Sequence, residues 1–443
     1  MDDWQTAGAA ALGRAIEAGL DPRELTERFL AAIAADPDAS LIYARTTPDR
    51  ARAEAAAAHQ RQQQSGRLGP LDGVPISWKD NVDMAGVATE AGSRLLAGRI
   101  PQADAPALSH ATAAGLVCLG KTHMSELAFS GLGFNPMTAT PPNAIDRRRV
   151  PGGSSSGAGV SVAKGLAAAG IGSDTGGSVR IPAAWNDLVG LKTTIGAISC
   201  DGIVPLSTTF DTPGPLCRTV EDAGLIFAAL RGETPSIPAP SLPATLFLAE
   251  NHVMADMDPE VASAFDAALG RIADAGVAIT RGQAPEFDES ADVLTSHGGV
   301  ILTDAWEEWG EVIEANPDTM YHQIEQRFRG GAAFPRTMAD HASAVQTRLS
   351  TSIQARIAQE GVIIMSSSPI LPPLVSRLAA DNDYYTKRNL LGLRNTRQAN
   401  LLGLSALTLP TETPMVGIML VAGAHQEQTL LAIGQALEPV LRG

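Results

Sequence analysis

The sequence predicts an α/β protein built around a large buried sheet, and three observations carry that prediction. The 443-residue chain is 44% hydrophobic, enough for an extensive core. Its first 66 residues repeat their apolar positions at helical spacing. From about residue 70, short apolar runs alternate with glycine-rich loops, the texture of strands buried on both faces and covered by helices.

Taken in order, Asp21-Pro22 followed by Glu24 reads as an N-cap, a proline at the first helical position and a capping-box acid. Leu25, Phe29, Leu30 and Ile33 then form one apolar face, and Pro37 stops the helix. Pro48 opens a second, Ala-rich helix that runs to Gly66. Val74 to Trp78, Leu116 to Leu119 and Ala168 to Ile171 are strand candidates. Four prolines within 232–244 mark a surface connection. Asp258-Pro259 starts a helix that turns Val261, Phe265, Leu269 and Ile272 inward. The stretch 285–350 is helical and rich in charge and aromatics, as expected of a cap over a pocket. Val362 to Met365 reads as a buried strand, and Gln426 to Leu441 as a closing helix.

Charge and composition exclude several classes. Lys plus Arg number 33 against 48 Asp plus Glu, a net charge of −15 that would repel a polyphosphate surface, so no nucleic-acid partner is expected. Aromatics are only 4%, whereas glycine reaches 43, a balance that suits loop-built sites with close backbone approach. Cys118, Cys200 and Cys217 are too few and too scattered for a disulfide framework or a zinc site, which points to a reducing compartment. The N-terminus lacks a basic n-region, and no run reaches the roughly 18 to 20 apolar residues of a membrane span. A cytoplasmic protein without a membrane partner is expected. The eight histidines form no ligand cluster, so neither a metal nor another cofactor is expected.

Three motifs mislead. Gly115-Leu-Val-Cys-Leu-Gly120-Lys121-Thr122 fits the phosphate-binding P-loop pattern, but its intervening residues read as a buried strand and not as a loop of open N–H groups. Gly153-Ser154-Ser155-Ser156-Gly157 matches a nucleophile elbow centred on Ser155, yet no downstream histidine has a recognisable context. Ser161-Val-Ala-Lys164 matches a Ser-x-x-Lys pair, but the companion motifs are absent and Lys164 reads as a solvated helix charge.

What remains is a constellation. Val150-Pro-Gly-Gly-Ser154-Ser-Ser-Gly is followed by a small-residue helix, a short apolar run and Ser173-Asp-Thr-Gly-Gly-Ser178-Val-Arg180. A loop, a helix and a returning strand can bring Ser154 and Ser178 to the same side of a sheet. Gly176-Gly177 removes side chains where backbone N–H groups could converge on a developing oxyanion. Each loop taken alone also reads as a flexible turn. Lys79, directly after the apolar run Val74 to Trp78, could snorkel to water or, if buried and neutral, act as a base.

Together, Pro75-Ile-Ser-Trp-Lys79-Asp-Asn, Gly152-Gly-Ser154-Ser-Ser-Gly and Gly172-Ser-Asp-Thr-Gly-Gly-Ser178-Val-Arg-Ile-Pro-Ala resemble the amidase signature family of serine hydrolases. Leu119-Gly-Lys-Thr-His-Met-Ser-Glu-Leu-Ala and Phe210-Asp-Thr-Pro-Gly-Pro-Leu-Cys resemble further blocks of that family. The resemblance implies the family fold, a large mixed central sheet with helices on both faces, in a single domain over 1–443. Within it lie N-terminal helices over 1–66, the catalytic core over 67–225 and the variable cap over 285–350.

By position, the resemblance makes Ser178 the nucleophile, Ser154 a proton relay after a cis Gly153-Ser154 peptide, and Lys79 the base. It makes the N–H groups of Thr175, Gly176, Gly177 and Ser178 the oxyanion hole, Asp174, Arg180 and Ser155 supports of the loop, and Ser130 part of the acyl pocket. Two departures from the family pattern bear on the pocket: His123 stands where Asn is usual, and the C-terminal strand pair around 407–420 is shortened.

The implied activity is hydrolysis of a small or aryl carboxamide through an acyl-enzyme, with ammonia or an amine released. The alternative is the A subunit of a glutamyl-tRNA(Gln)-type amidotransferase, which would draw ammonia from glutamine and depend on a second protein to use it. The expected partner is a small-molecule amide, and a homodimer is allowed. Substrate choice is expected to reside near Ser130 and in 285–350, where Trp306, Trp309, Tyr321 and Phe328 suit either an apolar pocket wall or the packing of helices.

Overall fold

The computed structural model describes residues 4–297 and 299–442. The apolar runs become strands as expected: β2 (Pro75–Lys79), β3 (Val117–Thr122), β4 (Ala169–Asp174) and β9 (Val362–Ser366) are buried along their whole length. They join β1 (Tyr43–Thr46), β5 (Val189–Lys192), β6 (Thr212–Cys217), β7 (Thr245–Ala249), β8 (Ala278–Gly282), β10 (Ser405–Pro410) and β11 (Gly417–Ala422). Among the described residues these eleven strands form one sheet in the order β1-β3-β2-β4-β6-β5-β10-β11-β9-β7-β8. It is mixed, with β2 parallel to β3 and β4, β7 parallel to β8 and β9, and the remaining pairs antiparallel.

The helix signals are realised locally. Pro22–Ala35 starts at Asp21, whose carboxylate accepts the Arg23 N–H at 2.8 Å, and buries Leu25, Phe29 and Ile33. Pro48–Gln63, Pro259–Asp274 and Glu427–Arg442 occupy the expected places. The shortened C-terminal region is an intact antiparallel hairpin, paired from Ser405↔Ala422 to Pro410↔Gly417.

Strand β6 carries no readable signal because its sequence is Thr-Pro-Gly-Pro-Leu-Cys, and proline is normally kept out of central strands. Pro213 and Pro215 are two apart, so both missing N–H groups face the same edge of the strand. Gly214 between them is needed for close approach: a Cβ there would lie 2.2 Å from the Leu191 carbonyl oxygen.

The P-loop pattern is a strand, and its Lys121 is buried and paired with Asp80 at 3.2 Å. Lys164 of the Ser-x-x-Lys pattern pairs with Asp36 and Asp38 at 2.7 and 2.9 Å, while Ser161 hydrogen-bonds Ser77 and the Ala158 carbonyl. Among the described residues no helix is long and apolar enough to cross a membrane.

Candidate active site

The two serine loops meet at the C-terminal ends of the parallel strands β2 and β4. Lys79 is the last residue of β2, and β4 runs beside it into Asp174. The helix Ser156–Ala163 crosses between them, so the loop before it and the loop after β4 share one end of the sheet. The Ser155 N–H donates to the Ser178 carbonyl at 3.2 Å, which ties the loops together. The Gly153-Ser154 peptide is cis, as the resemblance implied.

Lys79 Nζ lies 2.7 Å from Ser154 Oγ, 2.8 Å from Ser173 Oγ and 3.3 Å from the Ser173 carbonyl. Asn81 Nδ2 also donates to Ser173 Oγ, at 3.0 Å. Lys79 and Ser154 are both fully buried, whereas Ser178 is 4% exposed and lines a cavity of about 600 Å³. Burial pushes the Lys79 amine down to about 7, although the carboxylates of Asp211 and Asp174 act in the opposite direction. A lysine here can therefore be neutral near neutral pH.

The loop after β4 is held by one carboxylate. Asp174 accepts the Gly177 N–H at 2.8 Å and the Val179 N–H at 3.0 Å, and Arg180 reaches it through Nε at 3.1 Å and Nη2 at 2.9 Å. Asn400 Nδ2 adds a further bond at 2.9 Å. Arg180 also donates to the Thr396 carbonyl at 2.7 Å and to Asn400 Oδ1 at 2.5 Å. Asp174 consequently sits well below the usual carboxylate range despite complete burial, with the Arg180 charge the largest cause opposing desolvation. Gly177 has φ +138, and a Cβ there would lie 2.1 Å from Thr396 Oγ1, so this position needs glycine for both conformation and space.

One expectation for the loop is corrected. The Gly177 N–H is engaged by Asp174, and an N–H so used cannot also point at a substrate oxyanion; the candidate donors narrow to Thr175, Gly176 and Ser178. Ser155 braces the loop from behind: it is fully buried, and its Oγ bonds the Ser173 N–H and carbonyl at 3.3 Å. Ser130 lines the cavity, accepting from the Tyr385 hydroxyl at 2.9 Å and contacting Asn389 Oδ1 at 3.1 Å. His123 is not part of the cavity wall; its carbonyl accepts the Gly157 N–H at 2.9 Å behind the serine loop.

The cap contributes to the wall, but not through its aromatics. Trp309 donates Nε1–H to the Pro205 carbonyl at 2.9 Å, Phe328 stacks edgewise on Phe129 with centroids 4.7 Å apart, and Tyr321 packs between Phe134 and Tyr385. Trp306 packs against the same cluster. These four are core anchors, because an amphipathic helix directs its largest apolar groups toward the core. Ala291, Leu294, Ile301, Leu302, Gln323, Arg327 and Gly330 are the cap residues that reach the cavity.

Sequence reading misses Asp211, which is buried and accepts from the Thr175 hydroxyl and from the N–H groups of Leu206 and Ser207. Burial raises it to about 6. Its signal lies in the Phe210-Asp-Thr-Pro block, which resembles the family without carrying a role of its own. Thr396 and Asn400 have no readable signal, since their partners are more than 200 residues away.

The Amidase family model matches residues 24–431. A 2-amino-5-chloromuconic acid deaminase from Comamonas testosteroni is 34% identical over 402 residues, spanning 88% of this chain and 87% of that protein. The A subunit of a glutamyl-tRNA(Gln) amidotransferase from Chloroflexus aurantiacus is 31% identical over 463 residues, spanning 94% and 92%. Among solved structures, a crystal structure of an amidase aligns with TM-score 0.88 at 27% identity over 98% of this chain and 100% of that one. The peptide amidase PAM in complex with the competitive inhibitor chymostatin aligns with TM-score 0.82 at 25% identity, over 99% and 98%.

Proposed function

This chain belongs to the amidase family of enzymes acting on C–N bonds, and on that premise we propose that it is a serine amidohydrolase. It cleaves a small carboxamide through an acyl-enzyme and releases ammonia or an amine. The observation that carries this reading is the buried 2.7 Å contact between Lys79 and Ser154 directly behind the loop that presents Ser178 to the cavity.

The neutral Lys79 amine donates its N–H bonds to Ser173 and keeps its lone pair for the Ser154 hydroxyl proton. As Ser178 Oγ attacks the carbonyl carbon, its proton passes to Ser154 while the Ser154 proton passes to Lys79. The N–H groups of Thr175, Gly176 and Ser178 receive the negative oxygen. The same relay returns a proton to the leaving nitrogen, the C–N bond breaks, and water attacks the ester to release the acid and restore the Ser178 hydroxyl. Asp174 and Arg180 fix the loop before substrate arrives, so the donors need no rearrangement in the transition state.

The second reading, one component of a tRNA-dependent amidotransferase, is favoured by the Chloroflexus relative. Assays of the purified chain, with and without the other amidotransferase components, decide between them. A panel of simple amides is offered to the wild type and to Ser178→Ala. Turnover by the wild type alone supports the hydrolase; ammonia release from glutamine only when the other amidotransferase components are added supports the alternative. Undiminished turnover by Ser178→Ala overturns the mechanism.

A further inference from the structure

The wall of the cavity beside Ser178 carries Arg327, Arg394 and Arg397. Among the described residues that line it there is no carboxylate, and none of the three guanidiniums forms an ion pair. This is not a reflection of a basic protein, because the chain as a whole carries a net charge of −15.

The three arginines come from two helices. Arg327 belongs to His322–Gly331; Arg394 and Arg397 are three apart on Arg394–Leu401 and so share a face. Two of them are partly satisfied. Arg327 donates to the Phe129 carbonyl at 2.7 Å and lies 4.3 Å from the centre of the Phe129 ring, and Arg394 donates to the Val253 carbonyl at 2.9 Å. The Arg397 side chain, half-buried on the cavity wall, has no hydrogen-bond partner among the described residues. Its stem runs beside the oxyanion loop: a Cβ on Gly176 would lie 3.9 Å from Arg397 Cγ. Burial lowers all three guanidiniums to about 10, and the charge on Arg327 lowers Arg397 further.

Resting on the hydrolase reading above, we infer that the substrate is an amide whose acyl part carries a free carboxylate a few carbons from the scissile carbonyl, held by Arg397 with Arg327. Arginine stays protonated in proteins, so a half-buried guanidinium that faces the cavity without a counter-charge carries a desolvation cost that an arriving anion offsets. A carboxylate matches its fork of N–H donors and supplies that charge. Ile301, Leu302, Leu206 and Leu393 on the same wall suit the short hydrocarbon segment between carboxylate and amide. A neutral aliphatic or aryl amide would leave Arg397 and Arg327 uncompensated, whereas Arg394 already feels the Asp256 carboxylate.

The test compares each half-amide with the neutral amide in which a methyl group replaces the carboxylate: succinamate with butanamide, glutaramate with pentanamide, and adipamate with hexanamide. At least one acid should be preferred in kcat/KM by about tenfold or more, the scale of a hydrogen-bonded charge. Arg397→Gln should raise KM for that acid and collapse the ratio, with Arg397→Lys intermediate because it keeps the charge and loses the fork. Independently of turnover, succinate, glutarate or adipate should raise the wild-type melting temperature, with the shift lost in Arg397→Gln. Equal kcat/KM within every pair, or no dicarboxylate shift in the wild type, overturns the inference even where Arg397→Gln does not fold. Fluorophosphonate labelling of wild-type Ser178 separates the two claims: a labelled enzyme indifferent to acids refutes only the substrate class, and an enzyme that does not label refutes the hydrolase reading itself.

Discussion

Lys79 and Ser154, 75 positions apart in the chain, meet at 2.7 Å where neither is exposed to water. The contact exists because β2 ends where the loop before Ser156–Ala163 turns back over it. A lysine at a strand end would ordinarily reach solvent; here it ends against a serine hydroxyl and the Ser173 carbonyl, and burial makes its neutral form accessible.

That burial predicts a pH dependence with a definite sign. Lys79 is depressed to about 7, so it carries a proton below that pH and has a free lone pair above it. With chemistry rate-limiting, kcat/KM should fall about tenfold per pH unit below the inflection. A profile flat through this range contradicts the role of Lys79, and Lys79→Ala should lose most activity at every pH.

The pairing of Asp174 with Arg180 predicts a loss of stability as well as rate. Both side chains are fully buried, and Arg180→Met strands a carboxylate that keeps only the Gly177 and Val179 N–H groups and Asn400 as donors. Breaking such a pair costs about 3–5 kcal/mol. Urea unfolding should report it, and Arg180→Lys should recover it only in part because the two-pronged contact is lost.

The aromatics of the cap should behave as core. Phe328→Ala removes a fully buried ring stacked on Phe129, at a cost of about 3–5 kcal/mol. Relative kcat/KM between two substrates should stay constant in that variant, whereas Leu302→Ala or Ile301→Ala, on the cavity wall, should change it. A specificity change in Phe328→Ala with unaltered melting would reverse the two assignments.

These outcomes bear on what the sequence could convey. Lys79, Ser154 and Ser178 were legible because each sits in a short segment whose residue types match one chemistry, and the strand–loop–helix order already brings them to one end of the sheet. Asp174 and Arg180 were legible for the same reason, lying within six positions of each other. The cap left two readings open because Trp309 and Phe328 have the composition of a pocket wall, while amphipathic helices use such rings to anchor themselves. Arg327 and Arg397 had no common signal: they lie 70 residues apart on separate helices, and only the fold shows that neither pairs with a carboxylate among the described residues. Strand β6 stayed hidden because Pro213 and Pro215 contradict the local rule for a central strand.

In the proposed mechanism Ser178, and not Ser155, carries the acyl group. Ser178 opens onto the cavity, whereas Ser155 is fully buried and spends its hydroxyl on the backbone of Ser173. Intact-protein mass spectrometry after reaction with a fluorophosphonate, followed by peptide mapping, reads this directly. A single adduct is expected, on Ser178, and none in Ser178→Ala. An adduct on Ser155, or labelling that survives Ser178→Ala, would contradict it.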